Sequence, residues 1–329
     1  MKRTILTIAV TALCIVACTS EDPISQDPLA DTPIKLNVSV TNPTTRAGYS
    51  NDLLPDTFQL RVYHNRNNDD DKYNYDIFAE KDGDTWKTYD FEAYRPNNKK
   101  DKNEVTMFWA NMKDQVTVSA YVNNIQSAYF PIDQSDAEKL KSADILYMDN
   151  TKVTPNTAGI NVKFQHIMSK INLTIELGSE YEFTDKIDQK ITDVKIGGTI
   201  VEIDEEYAEV NDIDYINIVP DPSGKVKSIT PFRTGTTPFS NNAGTITRAS
   251  ATYEAVLIPQ TIASGNFFIT FKVDGKAYEW YYNEDLTLKA TNDYVLKLTA
   301  GSDKVYSAAF STKPWNVGNG EEGENKQTD

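Results

Sequence analysis

Residues 34–40 read Ile34-Lys35-Leu36-Asn37-Val38-Ser39-Val40. Apolar and polar side chains alternate with a period of two, so one face of the run is buried and the other wet, the pattern of a half-buried β-strand. The pattern returns in Val116-Thr117-Val118-Ser119-Ala120-Tyr121-Val122, at Ile171, Leu173, Ile175 and Leu177, at Phe267, Ile269, Phe271 and Val273, and in Tyr294-Val295-Leu296-Lys297-Leu298. Turn-forming clusters separate these runs: 65–71, Lys81-Asp82-Gly83-Asp84, Asp221-Pro222-Ser223-Gly224 and Asp274-Gly275. Asp274-Gly275 predicts a type I′ hairpin, because both residues tolerate the positive φ that this turn requires. A helix is expected only over 135–141, with Ser135 and Glu138 as a capping box and Leu140 facing inward. Strands at this spacing predict an all-β chain of antiparallel sandwiches.

With 329 residues the chain is too long for one ordinary domain and suits two. A polar stretch at 179–189 separates the strand ending at Leu177 from the next at Ile191. This places the division near Gly178, with an N-terminal sandwich at 34–178 and a C-terminal sandwich with a polar tail at 179–329. The 33 basic residues against 48 acidic ones leave a net charge of −15. Such a chain is repelled by phosphate backbones, which weighs against nucleic acid and against charge-driven docking on anionic lipid. The 11% aromatic content, from 18 Tyr, 13 Phe and 4 Trp, argues for a folded chain rather than a disordered one.

The N-terminus sets the compartment. Met1-Lys2-Arg3 supplies a positive region, and the uncharged, mostly apolar stretch 5–17 follows. It is shorter than the roughly 20 residues that span a bilayer and fits a secretory signal at 1–17. Ile15-Val16-Ala17-Cys18 resembles the bacterial lipobox, so that Cys18 becomes a lipidated N-terminus on a tether at 18–33 that carries Pro23, Pro28 and Pro33. A plain signal peptide with an incidental Cys is the alternative. Glu21-Asp22 after Cys18 resembles a surface-export signal of Bacteroidetes lipoproteins. Cys14 leaves with the signal, so the mature chain retains no free thiol.

The chemistry-bearing motifs are sparse. There is no Gly-rich phosphate loop, no Gly-x-Ser-x-Gly elbow and no His-Glu-x-x-His pair. Both histidines, His64 at a strand end and His166 within a strand, are expected to be structural. The run Asn68-Asp69-Asp70-Asp71 lacks the spaced ligands of a calcium loop and reads as a solvated hairpin tip. Trp86, Trp109, Trp280 and Trp315 could stack sugars but suit a core or rim better. No catalytic residue, metal or cofactor is expected. The polar loop Asn42-Pro43-Thr44-Thr45-Arg46-Ala47-Gly48 presents a single Arg among small residues, a place where proteases cut, or else an ordinary connection.

Taken in order, these pieces resemble the fimbrillin family of Bacteroidales, in particular its Mfa-like branch. They are the lipobox at Cys18, the first strand leading into Thr44-Thr45-Arg46-Ala47, Phe164-Gln165-His166-Ile167-Met168-Ser169-Lys170-Ile171, Ala255-Val256-Leu257-Ile258-Pro259-Gln260, and Tyr294 to Leu298 followed by Trp315. One departure is Ala290-Thr291-Asn292-Asp293, where the family usually carries Ala-Gly before the late Tyr.

The resemblance implies two transthyretin-like β-sandwich domains in tandem and a structural subunit of cell-surface fimbriae acting in adhesion. It further implies a lipid-anchored precursor at the outer membrane, processed by an Arg-specific protease between Arg46 and Ala47. Loss of the strand carrying Ile34, Leu36, Val38 and Val40 then opens a groove that a C-terminal strand of a neighbouring subunit fills. The polymer partners are other fimbrial subunits, the same or different, with a surface receptor of unknown identity.

The physics of that scheme is independent of the family. Each of the four apolar residues contributes about 1.5–3 kcal/mol if fully buried, and strand addition resolves the backbone groups that removal would bare. A donor needs alternating apolar residues near a free end. The run 305–310 offers Tyr306, Ala308 and Phe310 on one face and Val305 and Ala309 on the other, although it is equally the last strand of the C-terminal sandwich. Two other classes stay open: a glycan-binding surface lipoprotein of a polysaccharide-uptake system, which needs clustered exposed rings, and a secreted hydrolase, which needs two converging carboxylates.

Overall fold

The computed structural model describes residues 29–41, 49–50, 53–65, 67–68, 71–90, 103–122, 130–181, 187–204, 218–242, 245–315 and 325–326. Cys18, Arg46, Ala47, the signal segment and most of the tether and polar tail lie outside the described residues.

The described chain is almost wholly β, as the alternating runs predict. A seven-stranded sheet holds β1 (Leu36–Val40), β2 (Thr57–Tyr63), β3 (Tyr75–Asp82), β4 (Thr85–Asp90), β5 (Val116–Val122), β6 (Leu146–Val153) and β7 (Ile160–His166), in the order β1-β7-β6-β5-β2-β3-β4. Helix α1 (Ala137–Ala143) precedes β6. After β7 come β8 (Ser169–Leu177), α2 (Ile187–Lys190), β9 (Ile191–Ile200), β10 (Val226–Ile229), β11 (Phe232–Thr237), β12 (Ser240–Asn242), β13 (Thr245–Thr247) and β14 (Ser250–Leu257). Then follow β15 (Gln260–Ile262), β16 (Phe268–Val273), β17 (Lys276–Tyr281), β18 (Leu286–Leu288), β19 (Asn292–Ala300), β20 (Val305–Pro314) and β21 (Asn325–Lys326). Two larger sheets, β10-β9-β16-β17 and β11-β14-β8-β19-β20-β21, pack on one hydrophobic cluster that includes Ile196, Phe271, Leu173, Leu296 and Phe310. The seven-stranded sheet has its own cluster around Phe58, Leu60, Trp109, Val118 and Phe164, the first cluster in chain order, the other being the second.

The β16–β17 hairpin turns as expected, with Asp274 at φ 48° and Gly275 at φ 82°. Other expectations need correction. The sheets are mixed rather than purely antiparallel, because β1 runs parallel to β7 and β19 runs parallel to β8. β5 was expected to show one wet face, yet every residue in it is buried. The strand lies between β2 and β6, and side-chain bonds seal its polar face: Lys152 Nζ donates to Thr117 Oγ1 at 2.7 Å, and the Tyr121 hydroxyl bonds Gln59 Oε1.

Helix α1 is capped by Asp136, whose side chain accepts from Lys139 N at 2.9 Å, and not by the expected Ser135–Glu138 box. Ser135 spends its amide on Asp133 Oδ1 instead, while Leu140 is buried as expected. The division expected near 178 assigns β8 to the first half. In the structure β8 pairs with β14 and β19, and Ile171, Leu173, Ile175 and Leu177 lie in the second cluster.

Candidate functional site

The expected removable strand lies at an edge. β1 terminates the seven-stranded sheet, and β7 is its one strand neighbour there, with pairs from Leu36↔Ile160 to Val40↔Phe164. Ile34, Leu36 and Val38 are half-buried against the first cluster, and only Val40 is fully buried, at 1% exposure. Three of the four therefore contribute less than the roughly 1.5–3 kcal/mol of a fully buried side chain.

The chain just before β1 lies against a second wall. Asp31 N donates to Trp109 O at 2.9 Å, Trp109 N to Thr32 O at 3.1 Å and Ile34 N to Met107 O at 2.9 Å, and Pro33 bridges Phe108 antiparallel. At the far end Thr41 N and Thr41 Oγ1 both donate to Phe164 O, each at 2.9 Å. Segment 31–41 thus occupies a slot between the strip 107–109 and β7, and it supplies hydrogen bonds to both sides.

The walls are built independently of their occupant. The Tyr75 hydroxyl on β3 accepts from Phe108 N at 3.0 Å and donates to Phe108 O at 3.4 Å, and burial pushes this phenol above its ordinary pKa. Trp109 Nε1 donates to Asn156 O at 3.1 Å, and Asn156 Oδ1 accepts from Ala158 N and Gly159 N. That turn puts Gly159 at φ 90°, where its bare Cα lets the Lys35 carbonyl reach Ile160 N at 2.8 Å. β7 and β6 stay paired only at Leu146↔His166 and Tyr147↔Gln165. The rest of β7 pairs with β1 and packs its apolar face on the core, where the Phe164 ring meets that of Phe58 at 5.2 Å.

The expected donor, β20, is paired along its length with β19, and β21 adds two further pairs on β20 at Phe310 and Ser311. The common face expected for Tyr306 and Phe310 does not form. Leu298 pairs with Ser307 and Lys297 with Ala309, so the register slips past Ala308. A bulge reverses the inside–outside alternation. Phe310 is 4% exposed beside Tyr282 and Tyr294, whereas Tyr306 is 49% exposed under Lys304.

Other candidates separate. His64 lies at the end of β2 with Nδ1 2.8 Å from Asp71 and Nε2 3.6 Å from Asp114. In the run 68–71 the two central acids lie outside the described residues, and Asp71 also caps Tyr73 N. Among the described residues no group of three or more His, Cys, Asp or Glu could hold a metal ion. The four tryptophans do not form an exposed platform: Trp109 and Trp315 are buried, Trp86 packs on Phe58, and Trp280 packs against the second cluster.

A polar cluster absent from the expected sites lies at the end of β7. His166 Nδ1 is 2.8 Å from Asp144 Oδ1, and the imidazole stacks on Trp315 with centroids 4.2 Å apart. Lys170 Nζ lies 5.2 Å from that Trp ring and 3.3 Å from Asp293 Oδ2, and Asn172 Nδ2 donates to Asp293 Oδ1. The spacing of His166 and Lys170 is visible in the sequence, but Trp315 and Asp293 reach them from more than a hundred positions away, and Asp144 from the end of α1.

A family model described as fimbrillin-like matches residues 45–315. A candidate cell adhesion protein from Bacteroides ovatus, solved as a crystal structure, is 14% identical, with 88% of this chain and all of that one covered and a TM-score of 0.54. A second, from Bacteroides uniformis, is also 14% identical, covers 86% of this chain and 98% of its own, and has a TM-score of 0.50. At that identity the likeness speaks for the fold. No match was found among curated proteins.

Proposed function

The chain belongs to the fimbrillin-like family, and from that premise we propose that it is a structural subunit of a cell-surface fimbria, made competent to assemble when the segment carrying β1 is removed. The observation that carries this reading is the slot. Segment 31–41 is an edge element whose departure breaks no other strand pairing, while Tyr75, Trp109 and Asn156 hold the walls from outside it. An emptied slot presents the backbone groups of Met107, Trp109, Ile160 and Phe164, all now bonded to the segment, to an incoming strand.

In this scheme Cys18 carries the lipid that anchors the precursor in the outer membrane. An Arg-specific protease hydrolyses the bond between Arg46 and Ala47, releasing the lipid and β1 together. A C-terminal strand of a neighbouring subunit, using Tyr306, Ala308 and Phe310, then enters the slot. That donor must first leave β19, so its pairing there opposes premature polymerisation.

The test is digestion of the full chain with an Arg-specific protease beside an Arg46→Ala variant, followed by light scattering and electron microscopy. The expected result is a new N-terminus at Ala47 and polymers from the parent chain alone. A parent cut at Arg46 that stays monomeric, or a parent that polymerises uncut, overturns the reading.

A further inference from the structure

Strand β7 is engaged at both ends by elements the proposed scheme treats separately. Its residues 160–164 pair with β1, and His166, at its last position, stacks on Trp315. Trp315 closes β20. Its amide donates to Thr291 O at 2.5 Å, and its ring lies between the His166 imidazole and the Lys170 ammonium, only 2% exposed.

We propose that β7 couples the seat of β1 to the anchorage of β20, with the His166–Trp315 stack as the joint between them. Apart from the core packing of Ile160, Val162 and Phe164, β7 is held in line mainly through β1. Its hydrogen-bonded pairs with β6 are confined to His166 and Gln165, and the strand pairing N-terminal of these is with β1. When β1 is seated, β7 is an interior strand and the imidazole is held flat against the indole by Asp144. When β1 leaves, residues 160–164 become a free edge, and the fluctuations of that edge end at His166.

The charged groups facing this joint come from four other elements: Asp144 at the end of α1, Lys170 on β8, Asp293 on β19 and Lys313 on β20, which lies 3.7 Å from Asp293. They hold the joint in one arrangement while β7 is aligned. A strand that serves as a wall for one segment and a clasp for another biases both equilibria, and such coupling is reciprocal. The consequence is mutual: departure of β1 loosens the end of β20, and loosening of Trp315 weakens the seat of β1. The coupling is a property of the fold and does not require that Arg46 be cut, so its failure and the failure of the fimbrial reading are separable.

The experiment is amide hydrogen exchange by mass spectrometry on the full chain. Val38→Asp displaces β1 without touching the joint, and Thr41→Val is a milder variant that removes the hydroxyl bond to Phe164 O. The expected result is faster exchange, by about ten-fold or more, both over 36–40 and at the Trp315 amide, with β17 unchanged as the control. In the reverse direction, Trp315→Leu is expected to speed exchange over 36–40. Should Val38→Asp unfold the chain globally, Thr41→Val and Trp315→Leu decide. Loss of protection at β1 with the Trp315 amide unmoved, or a Trp315→Leu chain with β1 as protected as before, overturns the proposal.

Discussion

The carbonyl oxygen of Lys35 stands where a β-carbon on Gly159 would have to be. Gly159 is also at φ 90°, outside the range that L side chains adopt readily. Both facts are consequences of one contact, the 2.8 Å bond from Ile160 N to Lys35 O that begins the β1–β7 pairing. Gly159→Ala is therefore expected to lower stability by about 1–3 kcal/mol, the range for a strained backbone position. The loss falls first on β1, read as increased protease sensitivity of segment 29–41 and a lower urea midpoint. An unchanged midpoint with β1 equally protected would show that the close approach is dispensable.

Thr291 is the converse case, a β-branched residue at φ 63°. The backbone there is committed on both sides: Thr291 N donates to Met168 O at 2.9 Å and its carbonyl accepts from Trp315 N. Relief of the left-handed strain outweighs the extra entropy that Gly carries in the unfolded chain. Thr291→Gly is expected to raise unfolding stability by about 0.5–1 kcal/mol, seen as a higher thermal midpoint at unchanged denaturant slope. A lower midpoint would mean that the Thr side chain contributes more than its strain costs.

Strand existence was legible because period-two alternation is a local property. β5 spans 116–122 as expected, and β8, β16 and β19 fall on their predicted runs. Partnership was not legible, since β1 finds β7 across a separation that no local pattern encodes, and in parallel. The slot wall at 107–109 carries no alternation and was missed for that reason. The bulge at Ala308 escaped because one extra residue in a run of small side chains leaves the pattern looking regular. Asp136 displaced Ser135 as the helix cap between two residues of equal intrinsic merit, the choice falling to Asp133, which claims the Ser135 amide. His166, Lys170 and Trp315 stand in the stretches that carry the resemblance, but their convergence in one buried cluster is a tertiary fact.

Within that cluster Lys170 and Asp293 are 2% and 4% exposed in their side chains and 3.3 Å apart. Removing one partner of such a pair strands a buried charge, at a cost of about 3–5 kcal/mol. Asp293 keeps Asn172 and Lys313 when Lys170 is lost, so Lys170→Met is expected at the lower end of that range. The double variant Lys170→Met/Asp293→Leu should recover part of the loss. A double-mutant cycle from urea unfolding measures the coupling. Additive single effects would mean that the ion pair is incidental and that Lys170 acts through its packing on Trp315 alone.

Acid should act on two places before it reaches the cores. The His64 hydrogen bond, followed by the Tyr73 amide, holds the Asp71 carboxyl below the ordinary Asp range. Ahead of α1, the Lys139 ammonium and then Ser135 push Asp133 down to about 2, and the Lys139 amide lowers Asp136. A carboxylate whose pKa is depressed by folding favours the folded state above its unfolded value of about 3.9. That contribution disappears as pH falls through the folded value. The contacts of Asp71 with His64 and the Tyr73 amide, and the first turn of α1, are therefore expected to be lost as pH falls below about 4, while β5, which carries no Asp or Glu, persists. Amide chemical shifts of Tyr73 and Lys139 followed from pH 6 to pH 2 give the check. Their moving together with β5 in a single transition would show that these surface carboxylates do not define separate acid-labile regions.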